Sequence, residues 1–494
     1  MKNPPFHITK EKLENKPLQS GESAQIENAP KFHKDLTQGS VLKKMILFSL
    51  PILLSNLLQA LYNMGDMFMI GLFDGTADAA AAVNEGGQIT LFVTNIIVGF
   101  CMGGTVLIAQ YIGLKKYGDI KETIGTVFTV LLIAAAVLTI LMIALAPVFV
   151  RLMGVPQEAV KGTVAYVMIC MAGNIFAFGY NGISAVLRGM GDSVRPLIIV
   201  GGACLLNLGL DALFIGPLGM GVPGAALATV LAQAAAMLAA VIYLYKKKFV
   251  FDFKFKSFKI RKEKLKSLLK VGLPVAVLNA VNSLSFIFLL TFVNKYGADA
   301  AAGAGIASKI NGLAILPIFA IGMSVTAMSA QNISAGFYKR AYHTMFVGIG
   351  AGIVLGAAVF TLSQIFAPSL IKLFLLKEQT DYNQTEAVRL GAEYLRAFSF
   401  DYIMVVFFVT LSGLINGAER TGISMVFSVC SAILVRVPLA YILNQIAGLG
   451  FRGIAFGAPI ATTFTTVLCL IYILTGKWKM NGRSINDTVI LELS

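Results

Sequence analysis

Residues 49–59 read SLPILLSNLLQ and residues 272–282 read GLPVAVLNAVN, with Pro51 over Pro274 and Asn56 over Asn279. Nearly the same offset recurs further along the chain. MGGTVLIAQYI (102–112) lies over MSVTAMSAQNI (323–333), GISAVLRGMGD (182–192) over GLINGAERTGI (413–423), and GMGVPGAAL (219–227) over GLGFRGIAF (448–456). Small-residue runs are common in membrane helices, so one such match says little. Four in the same order make the chain an internal duplication.

What is duplicated is apolar. A bilayer core takes about 20 apolar residues per helix. Runs of at least that length fall at 46–73, 88–111, 123–150, 160–186, 194–216 and 221–245, then at 269–293, 304–331, 341–374, 388–415, 422–446 and 453–476. The fold class predicted is therefore an all-α integral membrane protein with twelve transmembrane helices in two pseudo-symmetric six-helix bundles. Six is even, so both bundles enter the membrane from the same side and the repeat is parallel about an axis near the membrane normal. Two bundles facing each other across a cavity suit alternating access.

Composition agrees. Of 494 residues 57% are apolar and 13% charged, against roughly 45–50% and about 25% in ordinary globular proteins. A mean hydropathy of +0.77 leaves apolar surface on any water-facing fold. Cytoplasmic enzyme, secreted disulfide scaffold, disordered hub and nucleic-acid-binding domain all fall away. The net charge of +15 does not restore nucleic acid, because the basic residues cluster in connectors between apolar runs. The cysteines Cys101, Cys170, Cys204, Cys430 and Cys469 lie singly within apolar runs and read as free, buried thiols.

Those connectors orient the chain. With the N-terminus inside, the tail, 114–121, Arg188 and Arg195, the central segment, Lys339 and Arg340, Arg420 and the C-terminal segment all face the cytoplasm and hold most of the Lys and Arg. Both termini are predicted cytoplasmic in a multi-pass protein of the cytoplasmic membrane. The predicted organisation is a polar, flexible tail over 1–42 with no cleavable signal peptide, a first lobe over 43–245, a basic linker over 246–268, a second lobe over 269–476 and a cytoplasmic tail over 477–494. The linker, YKKKFVFDFKFKSFKIRKEKLKSLLK (245–270), is amphipathic and reads as a connector resting on anionic headgroups.

An ionisable residue inside a span is costly unless it faces a cavity or a partner, so each is a functional candidate. Asp66 lies about 33 Å along its helix from Lys44 at about 1.5 Å per residue, and Gln59 and Tyr62 share its face. Asn207 and Asp211, at i and i+4, stand about 18 and 24 Å above Arg195 on the fifth run, and Thr229 about 12 Å below the start of the sixth. Three helices thus bring two carboxylates, an amide and a hydroxyl to similar depth between apolar walls, where they could carry a proton at neutral pH. Pro51 removes a backbone bond and is predicted to interrupt the first helix as a hinge.

QxxYNxxD (59–66), LRGxGD (187–192), NxxxD (207–211) and GxxGAAxAT (221–229) together make the chain resemble a bacterial multidrug and toxic compound extrusion (MATE) transporter over about residues 42–476. The resemblance implies a V-shaped pair of lobes and a cation-coupled exporter of organic cations, nearer the branch whose coupling acid lies in the N-terminal lobe. It assigns cation coupling to Asp66, Asp211, Asn207 and Thr229, which would hold H⁺ or Na⁺, and the polar cavity to Gln59, Tyr62 and Asn181. The expected partners are small organic, cationic substrates and membrane lipid, with no nucleic acid, no cofactor beyond the coupling ion, and a monomer as the default.

The second lobe departs from the first. In repeat register Arg436, Ala440 and Ala458 stand over Asn207, Asp211 and Thr229, and Asn282 is nearest to the acid that the family's other branch keeps in its seventh span. Asp401 stands about one turn before that branch's second acid and is a lesser candidate. Arg436 with Glu419 is a candidate ion pair. Neither HExxH, GxSxG nor a Walker loop is present, and the three histidines are not clustered, His7 and His33 preceding the first run and His343 standing near the start of the ninth, so no enzyme is expected. No pore-lining ring argues for a channel. The alternative is a flippase of the same superfamily moving a lipid-linked oligosaccharide, which would want a basic rather than an acidic cavity.

Overall fold

The computed structural model describes residues 33–73, 76–152, 155–374, 383–445 and 449–479. Among these no strand is present. Spans one to six are Val41–Phe73, Ala77–Gly113, Tyr117–Leu152, Gln157–Ala172 with Asn174–Gly189, Val194–Ile215 and Gly221–Lys246. Spans seven to twelve are Lys262–Asn294, Ala298–Ser334, Tyr338–Leu373, Gln384–Gly417, Thr421–Gln445 and Phe451–Leu474. Eleven are long and apolar enough to cross a membrane unbroken, and the fourth is a pair bent by 53° at Gly173. Most helices run beyond the apolar segments read from the sequence, because the backbone stays helical past the hydrocarbon boundary.

Large apolar side chains face outward as well as inward. The fifth span exposes Leu205 at 75% while Asn207 and Asp211 are 0% exposed, the pattern of a helix that turns its apolar face to lipid and its polar face to the bundle. Each half has its own core: one joins Ile70, Ile97, Tyr166 and Ala225, the other Leu289, Ala304, Val406 and Ala455.

The halves meet along the second and seventh spans. A Cβ on Gly99 would come within 2.4 Å of the Ala276 backbone, and one on Gly103 within 2.9 Å of Gly272. The amide of Asn279 donates to the Asn95 carbonyl (3.1 Å), and that of Gln110 to the Gly417 carbonyl (3.1 Å). These contacts lead toward the end where residues 33–40 lie. That segment straps the halves together. The Lys34 amide donates to the Met190 carbonyl (2.8 Å) on one side. On the other, the Leu36 amide donates to Gln331 Oε1 (3.0 Å) and the Arg340 guanidinium to the carbonyls of Gln38 and Gly39 (2.9 and 2.8 Å). Leu36 is buried with Val41, Met45, Val325 and Met328. The architecture is a V with its apex at this end.

Three expectations change. The tail predicted over 1–42 lies outside the described residues up to 32, but 33–40 are the strap and helix begins at Val41; likewise 480–494 lie outside, while Trp478 is buried against Tyr338 and Tyr342. The linker is shorter than 246–268, since the seventh span already starts at Lys262. It is also docked: Phe251 is fully buried with Phe128, Phe253 and Phe258, so its alternate aromatics pack on the third span. Lys121 and the Ser257 hydroxyl bind Asp252 there, and chiefly the latter holds its carboxyl down to about 2. Finally, Pro51 does not interrupt the first span, which is helical throughout. Neighbouring helices let a membrane helix run through proline, and here Phe48 and Ile52 pack on Ala320 and Ala327 of the eighth span.

Candidate functional site

Asp66 is held from three directions. The first and fifth spans approach closely because Gly65 has no side chain; a Cβ there would meet Leu208 at 2.8 Å. This sets Asp66 beside Asp211, whose carboxyl is near enough for the two charges to interact. From the fourth span the Tyr166 hydroxyl donates to Asp66 Oδ2 (3.2 Å), and from the sixth the Thr229 hydroxyl donates to the same oxygen (3.1 Å). Tyr166 lies over Gly86 of the second span, where a Cβ would come within 2.6 Å of its ring. The Tyr62 hydroxyl donates to the Thr229 carbonyl (3.3 Å), and the Gln59 amide to the Tyr180 hydroxyl (2.9 Å). Gln59, Tyr62, Tyr166, Tyr180 and Thr229, with Thr90, Thr94 and Gln233, line a cavity of about 70 Å³.

The cluster is buried and under-satisfied. Asp66 is 2% exposed and Thr229 4%. Asp66 Oδ1, both Asp211 oxygens, and both polar side-chain atoms of Asn207 have no hydrogen-bond partner among the described residues. Buried polar atoms are nearly always paired, and an unpaired group in a native fold calls for an ion, a water or a chemical role. Convergent carboxylate, amide and hydroxyl oxygens make a hard donor set, suited to a proton or an alkali cation and poorly to a soft transition metal. No group of three or more His, Cys, Asp or Glu that could hold a metal occurs among the described residues. Those that could hold a cation are Asp66, Asn207, Asp211 and Thr229.

Other candidates fall differently. Gln59 and Tyr62 line the cavity. Asn181 is buried, but its amide donates to the Ala177 carbonyl of its own helix (2.9 Å); its neighbour Tyr180 is the residue that reaches Gln59. Tyr166 and Gln233 were not singled out from the sequence. A tyrosine within an apolar run was the only signal for Tyr166, and such tyrosines are common. Asp401 is buried in the second half, away from the acid cluster, with Oδ1 unpaired. Arg436 does not pair with Glu419. It binds Asn282 and Ser285, and Glu419 lies 3.8 Å from Lys270, because Glu419 stands in the turn between the tenth and eleventh spans while Arg436 is well inside the eleventh.

The chain is similar to known proteins along nearly its whole length. The profile of the family described as MatE matches residues 51–213 and 274–442. The probable multidrug resistance protein YpnP of Bacillus subtilis (strain 168) is 31% identical over 451 residues, covering 90% of this chain and 97% of that one. The probable multidrug resistance protein YoeA of the same organism is 29% identical, covering 88% and 93%. Among solved structures, a MOP superfamily transporter from Pyrococcus furiosus, for which a binding pocket of reverse polarity suggests a different function, superposes with a TM-score of 0.83 at 24% identity, covering 90% of this chain and 98% of that one.

Proposed function

The chain belongs to the MatE family and is a multi-pass membrane transporter rather than an enzyme; from that premise we propose that it is a cation-coupled antiporter exporting multiple organic compounds, cations among them, across the cytoplasmic membrane by alternating access. The end bearing the 33–40 strap is the cytoplasmic one in this reading, which the Lys and Arg distribution favours. The halves are then closed toward the cytoplasm.

One observation carries the proposal: two carboxylates and an amide converge in the first half with five buried polar atoms unpaired. A carboxylate pair taken out of water favours whatever neutralises it. Entry of H⁺ or Na⁺ from outside would remove the repulsion between Asp66 and Asp211 and relax the contacts that Tyr166 and Thr229 make with Asp66. The first span carries Asp66 and, through Phe48 and Ile52, packs on the eighth span of the opposite half. Neutralising Asp66 thereby reaches the seam between the halves, with Pro51 as the bending point. The acids of the first half disfavour the flippase alternative, whose diphosphate cargo they would repel.

The test is flux in proteoliposomes under an imposed pH gradient with Na⁺ clamped, then the reverse. Wild-type export follows one of the two gradients and Asp66→Asn follows neither while still inserting. Wild-type flux indifferent to both gradients would remove coupled antiport from consideration.

A further inference from the structure

The second half carries a buried charge that the ion chemistry of the first does not use. Arg436 closes a π-helical turn, Ser431–Arg436, in which the Val437 amide donates to the Ala432 carbonyl. Pro438 follows, with no N–H for the carbonyl four residues back, and a π turn is one way to absorb that loss; such turns cluster at functional sites. The Ser431 hydroxyl ties the turn to the twelfth span through the Ala461 carbonyl (2.6 Å).

Arg436 is 9% exposed. Its Nη1 donates to Ser285 Oγ (2.7 Å) and Asn282 Oδ1 (3.3 Å) of the seventh span, and its guanidinium carbon lies 4.6 Å from the centre of the Phe286 ring. Its Nε is buried without a partner, and among the described residues no carboxylate forms an ion pair with it. Asp401 is near enough to interact with its charge through space, yet the two are not paired and Asp401 Oδ1 is also unsatisfied. A guanidinium removed from water needs an anion, and neutral oxygens and one ring replace it poorly. The position lies near the seam between the halves: Asn279, one turn before Asn282, touches Asn95 of the first half, and Phe286 is 37% exposed.

We propose that Arg436, framed by Asn282, Ser285 and Phe286, binds the anionic group of a zwitterionic organic substrate. With Nη1 taken by Ser285 and Asn282, the Nε edge is the one left for a carboxylate's two parallel hydrogen bonds, and Phe286 offers an apolar face to the body of the same molecule. A cargo bridging the cleft meets carboxylates on one side and a guanidinium on the other, so opposite charges at its two ends fit both halves. The site rests on the transporter reading above, but not on which ion drives transport.

The test uses the full chain in nanodiscs without any ion gradient, with empty nanodiscs as the blank. Fluorescence anisotropy at neutral pH compares tetramethylrhodamine, a zwitterion, with its methyl ester, a cation differing only in the blocked carboxylate. Wild type is expected to bind the acid about tenfold or more tightly than the ester, the range of a charge-assisted hydrogen bond. Arg436→Gln abolishes the preference and Arg436→Lys keeps part of it. Should Arg436→Gln not fold, Asn282→Asp sets a carboxylate against the guanidinium and should abolish the preference likewise. A wild type that favours the ester or takes neither probe overturns the proposal, as does a preference that survives Arg436→Gln in monodisperse protein. Equilibrium binding needs no gradient, so failure here is distinct from failure of ion coupling, which shows only in flux.

Discussion

The Thr229 hydroxyl donates to the Asp66 carboxylate at 3.1 Å across 163 residues of chain. The Tyr166 hydroxyl, 100 residues from Asp66, donates to the same oxygen. Two donors on one oxygen leave the other, Oδ1, buried with no partner of its own. Asp66 thus has one oxygen fixed by hydroxyl donors and one that no described group holds.

Asp66→Asn should therefore abolish ion-driven export, whereas Thr229→Val and Tyr166→Phe, each removing one neutral hydrogen bond of about 1 kcal/mol, should slow it by only about fivefold. Initial rates in proteoliposomes measure this. Equal losses in all three variants would show that Thr229 and Tyr166 do more than position.

Leu36 lies in an apolar pocket made by both halves, so the strap has to leave it when the apex opens. Leu36→Asp buries an unpaired charge in the closed form and should raise amide exchange across 99–110 and 268–276, the segments sealed at the apex. Hydrogen-exchange mass spectrometry reads this; unchanged protection there would mean that the strap does not contribute to closure.

Glycine positions separate by what opposes them. A Cβ on Gly65 meets the far end of the Leu208 side chain, which can turn aside, while one on Gly99 meets the Ala276 backbone at 2.4 Å. Gly65→Ala should keep transport within about twofold, the scale of a small repacking cost. Gly99→Ala should force the halves apart and lower the melting temperature of the purified protein.

Phe251 is the anchor of the docked linker, fully buried among aromatic rings. Phe251→Ala should destabilise the protein by about 3–5 kcal/mol, the range for truncating a buried phenylalanine. Thermal unfolding in detergent checks it. A loss under about 1 kcal/mol, as for an exposed side chain, would mean that the linker detaches in solution.

Twelve apolar runs, their duplication and the acids within them could be read from the chain alone, and the reason is local. In lipid every backbone N–H and C=O must bond within its own segment, so a span is legible from its own residues, and i, i+4 spacing puts Asn207 and Asp211 on one face whatever surrounds them. The same locality explains the errors. Whether Pro51 breaks its helix depends on the eighth span that packs against it, and whether the basic linker docks on the third span depends on the ring of Phe128. Pairing across helices was decided only by assembly. Tyr166 with Asp66, Arg436 with Ser285 rather than Glu419, and the Leu36 strap on Gln331 all depend on the rotation and depth of one helix against another, which a hydrogen bond near 3 Å resolves and a hydropathy pattern does not.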